Sequence, residues 1–100
     1  MDLRRLEIFA KVAELGSFSR AAEALFLTQP TISEHVRAPE DELGVQLLDR
    51  LGRGATTTRA GELMLGSARR MLALSREARQ AHDQFQGRLS GQLVVGGSTI

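Results

Sequence analysis

The run Thr28-Gln29-Pro30-Thr31-Ile32-Ser33 holds the side chains best suited to chemistry in this sequence. That chemistry is hydrogen bonding, not bond making. A Gln amide pairs bidentately with adenine, a Thr side chain meets a thymine methyl, and a Ser hydroxyl bonds a base or a phosphate. Short polar side chains at the start of a helix are what a groove-reading helix needs. Glu34 and Arg37 continue on or near the same exposed face. A second set, Arg50 and Arg53 beside Gly52 and Gly54, suits a phosphate backbone or a minor groove, with glycine permitting close main-chain approach. A capped surface helix and a solvated hairpin use the same residue types, so these two sets gain meaning only from the elements that position them.

The reading run opens a helix. Thr28 is a good N-cap, and Pro30 fits the first turn, where a missing N–H costs nothing. Ile32 and Val36 then point inward at i, i+4. Ahead of it, an alanine-rich helix begins at Ser17 or Ser19 and runs to about Leu25. Ala21, Ala22 and Ala24 let another helix approach closely, Phe18 anchors the core, and Phe26 and Leu27 cover the turn. Two short helices joined by such a turn form a helix-turn-helix, whose second helix can enter a major groove. Residues 2–14 form a supporting helix: Leu3, Leu6, Phe9, Val12 and Ala13 recur at helical spacing, Asp2 sits at its N-cap, and Gly16 ends it.

After Gly44, residues 45–50 read as an extended segment, Gly52-Arg53-Gly54 as a turn, and Ala55–Thr57 as a returning strand. A hairpin in this place is a wing. Thr58 then N-caps a long helix from Arg59 to about Gln86, with Gly61 and Gly66 weakening its first turns by up to about 1 kcal/mol each. Met64, Ala68, Met71, Ser75, Ala78, His82, Phe85 and Leu89 alternate steps of four and three, a heptad-like seam widened by Leu72 and its neighbours. This helix is longer than a small head can cover, so its apolar stripe calls for a second copy of itself. The dimerisation set is therefore Met64, Ala68, Met71, Leu72, Ala78, His82 and Phe85. Gly87, Ser90 and Gly91 read as a hinge, and Gln92–Val95 as a strand cut off from its partners. The expected organisation is mainly α: a winged helix-turn-helix over 1–58, a linker and dimerisation helix over 59–86, and a hinge with a truncated first strand over 87–100.

Composition bounds the alternatives. The chain has 100 residues, no Cys and only four aromatic residues, all Phe. No disulfide framework or thiolate zinc site is available, and His35 and His82 have no metal-ligand spacing. No metal, cofactor or catalytic residue is expected. No apolar run approaches the roughly 20 residues of a membrane span, and no signal-peptide pattern opens the chain, so a cytoplasmic protein with no membrane partner is expected. Net charge is only +1. Residues 1–58 carry seven basic groups against nine acidic ones, whereas 59–88 carry six Arg against three acids. A head that binds nucleic acid must therefore segregate its charges, with Arg on the docking face and Glu40, Asp41 and Glu42 turned away.

Three stretches, LRRLEIFAKVAELGSFSRAAEALFLTQPTISEHVR, DELGVQLLDRLGR and TRAGELML, occur in an order that resembles LysR-type transcriptional regulators, and the likeness spans residues 1 to about 91. The resemblance implies a bacterial, winged helix-turn-helix protein that binds double-stranded DNA at interrupted palindromic promoter sites. It implies a homodimer through the long helix, or a tetramer in full-length members. A small-molecule effector is implied only where a C-terminal effector domain is present, and GQLVVGGSTI resembles the first strand of that domain. Carried onto this chain, the readers are Gln29, Pro30, Thr31 and Ser33, joined by Glu34 and Arg37, and the wing contacts are Arg50 and Arg53.

Two local departures carry physical consequences. Pro39 stands where the family pattern has an apolar residue, usually Leu. Inside a continuous helix it would cost about 3 kcal/mol by removing a donor and crowding the His35 carbonyl. A kink or break near Ala38 is therefore expected, with the reading end at Gln29–Ser33 intact. Ala55 and Thr57 are less apolar than the pattern, which predicts a loosely held return strand.

Overall fold

The computed structural model describes residues 2–50, 52 and 54–99, with side chains described as far as Gly87. Arg53 of the expected wing set lies outside the described residues, as does the terminal Ile100. The elements in order are α1 (Leu3–Leu15), α2 (Phe18–Leu25), α3 (Gln29–Leu43), β1 (Leu48–Asp49), β2 (Thr56–Thr57) and α4 (Arg59–Thr99).

Each of the first three helices starts at a side-chain cap. Asp2 accepts the Arg5 amide at 2.9 Å, Ser17 accepts the Arg20 amide at 3.1 Å, and Thr28 accepts the Thr31 amide at 3.4 Å. These bonds satisfy donors that the first helical turn leaves without partners. Ser17, not Ser19, is the cap of α2. At the other ends, Gly16 and Gly44 take left-handed conformations, with φ of 65° and 70°, as C-cap glycines do.

α1 lies across α2, α3 and α4 and supplies the centre of the core. Ile8, Phe9 and Val12 of α1 are wholly buried against Ala21 of α2, Ile32 and Val36 of α3, and Leu47 and Leu48 of the segment entering the wing. Two positions on α1 differ from the helical pattern read above. Leu3 is exposed, because it sits at the outer rim where α1 meets α4, while Ile8 is wholly buried. With helices on both sides, α1 buries a wider arc than one amphipathic stripe.

α3 does not break at Pro39. It runs from Gln29 to Leu43, and the proline ring is itself part of the core. Burial of the ring offsets part of the cost of the lost donor, and the last turn is tied down from outside. The Glu40 carboxylate accepts the amides of Leu47 at 2.8 Å and Leu48 at 3.2 Å, while its carbonyl accepts those of Gly44 and Val45. Glu40 therefore does not simply turn to solvent with its acidic neighbours. It pins the end of the reading helix to the first wing strand.

The wing is an antiparallel pair in which Leu48 opposes Thr57 and Asp49 opposes Thr56. Its return limb is held more firmly than the small residue at 55 implies. Ala55 is buried, and its amide donates to the Gly16 carbonyl at 2.9 Å. A larger side chain would not be needed there, because the α1–α2 corner comes directly to the strand.

Thr58 caps α4 by accepting the Gly61 amide at 3.0 Å, and its hydroxyl donates to the Gln46 carbonyl at 2.6 Å. Gly61 is more than a weak helix former. A Cβ at this position would stand 1.9 Å from the Leu47 carbonyl oxygen, so the glycine is what lets α4 cross the chain entering the wing. The helix continues through Gly87 to Thr99, 41 residues, or about 60 Å at 1.5 Å per residue. The expected hinge and strand at 87–95 are replaced by helix. An isolated strand has no ladder partner for its backbone groups, whereas a helix satisfies them within the segment.

Candidate nucleic-acid interface

The first turn of α3 is presented at the surface. Gln29 and Pro30 are exposed, Thr31 and Ser33 are half-buried, and Glu34 and Arg37 are exposed one turn further along. The Thr31 hydroxyl is hydrogen-bonded to that of Thr28 at 2.9 Å, so part of its polarity is spent on the cap. Gln29 and Ser33 remain the principal short polar groups of this turn, with Ile32 wholly buried between them.

Three elements converge beside Gln29. A groove of about 310 Å³ is lined by Ser17, Phe18 and Ser19 at the start of α2, Gln29 of α3, and Arg50, Gly52 and Gly54 of the wing. The start of α2 offers two hydroxyls, 3.0 Å apart, beside the positive end of the helix dipole. Arg50 is placed over the Phe18 ring, with its guanidinium carbon 4.3 Å from the ring centroid. A second, wider groove, lined by Arg37, Glu40, Asp41, Gly44, Val45, Gln46 and Arg50, runs along the other side of the wing base. Arg50 lines both grooves, so it stands between the reading turn and Arg37. Charge is segregated as a docking face requires on the Arg50 side of Gln29, but Asp41 shares the second groove with Arg37.

Sequence reasoning missed Ser17 and Ser19 as part of this face, because it weighed them only as helix caps. Their pairing with Gln29 and Arg50 comes from how α2 crosses α3. Phe26 also differs from expectation. It does not cover the turn: it is 93% exposed and has a left-handed backbone with φ of 56°, while Leu27 packs against the core. His35 is half-buried, with its Nδ1 buried and without a hydrogen-bond partner.

The dimerisation set divides between two faces of α4. Ala68 is wholly buried, and Met64 and Leu72 are half-buried on the side facing the head. Met64 and Ala68 thus spend their apolar surface on their own chain, since α1 lies against this part of the helix. Met71, Ala78, His82 and Phe85 are exposed. No group of side chains that could hold a metal occurs among the described residues, and no helix there is long and apolar enough to cross a membrane.

Residues 3–62 match the family of bacterial regulatory helix-turn-helix proteins described as the lysR family. The chain belongs to the LysR family. Its LysR-type head and long helix resemble the BenM DBD solved with catB site 1 DNA (TM-score 0.81, 34% identity, 84% of this chain and 93% of that one). The CbnR DBD solved with DNA is similarly close, with a TM-score of 0.79 and 39% identity over 84% of this chain and 97% of that one. Among curated relatives, an uncharacterized HTH-type transcriptional regulator of the ibpB-leuC intergenic region in Azotobacter vinelandii is 45% identical over 95% of this chain and 66% of its own length. The nitrogen assimilation regulatory protein nac of Klebsiella aerogenes is 40% identical over 96% of this chain and 32% of its own length. The LysR-type chain thus spans about two thirds of the first relative and one third of the second. The fold is mainly α with a two-stranded wing, and the family is one of transcriptional regulators, not enzymes.

Proposed function

We propose that this chain is the DNA-binding part of a transcription regulator that recognises double-stranded DNA by sequence. The single observation that carries this reading is the groove beside Gln29, where the first turn of α3, the start of α2 and the wing base meet. Gln29, Pro30, Thr31 and Ser33 enter the major groove, with Glu34 and Arg37 at its edge. The hydroxyls of Ser17 and Ser19 meet phosphate, and Arg50 and Arg53 follow the backbone or the neighbouring minor groove. The protein acts in the cytoplasm as a dimer through α4 on an interrupted palindrome, or as a tetramer in a longer form. An effector-binding region in a longer form would confer a response to a small molecule.

Gel-shift titration of promoter fragments over a range of salt concentrations tests the core of this reading. Binding should weaken steeply as salt rises, because phosphate contacts release counterions. Absence of binding to every fragment at low salt would reject it.

A further inference from the structure

Glu40 stands where electrostatics alone would not keep an acid. It lies in the last turn of α3, at the negative end of the helix dipole. It also lines the groove at the wing base that holds Arg37 and Arg50. Asp41 and Glu42 follow it, so the end of α3 carries three acids in succession. Unlike those two neighbours, Glu40 is half-buried. Its carboxylate is turned to the main chain, where Oε2 alone accepts both the Leu47 amide at 2.8 Å and the Leu48 amide at 3.2 Å. Hydrogen bonds to an ionised acceptor are about twice as strong as neutral ones. Here they fall on the two residues that lead into the wing.

Two residues beyond Leu48 the chain reaches Arg50. That side chain is held at its far end by the Phe18 ring, 4.3 Å from the guanidinium carbon, and at its base by the strand that Glu40 grips. The wing base has other ties, the Thr58 amide on the Leu47 carbonyl and the buried Leu47 and Leu48 side chains. Those attach it to the start of α4 and to the core. Among the described residues, the Glu40 carboxylate is what joins it by hydrogen bonds to α3. We infer that Glu40 is a positioning residue for DNA recognition: through the Leu47 and Leu48 amides it sets the angle between the reading helix and the wing, and so places Arg50 on phosphate while Gln29 and Ser33 meet base edges. The inference rests on the DNA-binding reading above and assigns a role to a side chain that itself touches no DNA. A reversal of sign follows. An acid near the docking face repels phosphate, so its removal would tighten binding if charge were its only effect. Loss of the strap loosens binding instead, because the two amides lose their acceptor, the wing base shifts, and Arg50 leaves its place.

Fluorescence anisotropy on a promoter fragment that the unmodified chain binds reads the difference, with each variant checked as folded by circular dichroism at the assay temperature. Glu40→Gln keeps a carbonyl oxygen where Oε2 stands and loses only the charge, so it should bind as tightly as the parent or tighter. Glu40→Ala removes acceptor and charge together, and should bind about fivefold or more weakly with a salt slope lower by about 1, as when one phosphate contact is lost. In an Arg50→Ala background, Glu40→Ala should cost nothing further, since the group it positions is gone. Equal losses in the two backgrounds would reveal a general weakening of the fold and overturn the inference. Binding by Glu40→Ala as tight as the parent's would overturn it too, while leaving the DNA-binding reading in place. Absence of binding by the unmodified chain to every fragment would remove that reading and the inference together.

Discussion

The Arg50 guanidinium lies over the Phe18 ring, 4.3 Å from its centroid. This contact joins the wing base to the first residue of α2, two elements linked otherwise through Gly16 and Ala55. It holds a flexible cation in place before any partner arrives. An exposed cation–π pair of this kind contributes about 0.5–1 kcal/mol.

Removing either member should therefore be felt in binding more than in folding. Phe18→Leu keeps an apolar anchor and should weaken DNA binding by about two- to fivefold through loss of that 0.5–1 kcal/mol. Arg50→Ala should weaken binding to all sequences similarly and reduce the salt slope by about 1. A double-mutant cycle measured by fluorescence anisotropy separates the pair from its parts. A coupling energy of zero would mean that the stacked geometry has no role in binding.

Gln29 should behave in the opposite way. Gln29→Ala removes a side chain that can pair bidentately with adenine, so it should cost about 1–3 kcal/mol at one base pair and relax preference there. Binding to a set of operator variants, each with one base pair changed, gives the profile. Uniform loss across all positions would place Gln29 on the backbone instead of a base edge.

What could be read from the sequence was mostly local. Asp2, Thr28, Thr58 and Gly44 act within one helical turn of their own positions, so their residue types announced the helix ends. The wing hairpin was legible for the same reason. The features that escaped depend on what a distant segment brings alongside. Nothing near Glu40 in sequence says that Leu47 and Leu48 will present their amides to its carboxylate. Ala68 belongs to a regular apolar repeat, but only the path of α1 decides that it faces the head. In the candidate interface, Gln29 and Arg50 were visible by type, whereas Ser17 and Ser19 joined them only through the crossing of α2 and α3.

Pro39 offers a test of how tertiary packing overrides local preference. The buried ring contributes to the core, yet α3 still lacks the bond from residue 39 to the His35 carbonyl. Pro39→Leu restores that donor and places a conventional apolar side chain at the site. The gain, up to about 3 kcal/mol, exceeds the roughly 1–3 kcal/mol of repacking strain only in part, leaving a net stabilisation on the order of 1 kcal/mol. Thermal unfolding followed by circular dichroism should show a midpoint about 4–8 °C higher. An unchanged midpoint would mean that the ring already supplies what the missing bond withholds.

Gly61 and Gly66, five residues apart on α4, should respond to alanine with opposite signs. Both are helical, so propensity alone predicts a gain of up to about 1 kcal/mol at each. At Gly66 the added methyl would meet only the end of the Arg70 side chain at 3.8 Å, and the predicted gain should appear. At Gly61 the methyl would collide with the Leu47 backbone, 1.9 Å from its oxygen and 2.9 Å from its carbonyl carbon. Backbone cannot rotate aside, so α4 would have to lift from the wing entrance. That movement would strain the Thr58 cap and expose Met64 and Ala68. Gly61→Ala should therefore destabilise by about 3 kcal/mol or more, within the range of severe overpacking, and in a domain this small should leave little cooperative unfolding. Parallel thermal melts of the two variants decide the matter. If Gly61→Ala melts at or above the parent temperature, the close crossing of α4 over Leu47 is wrong.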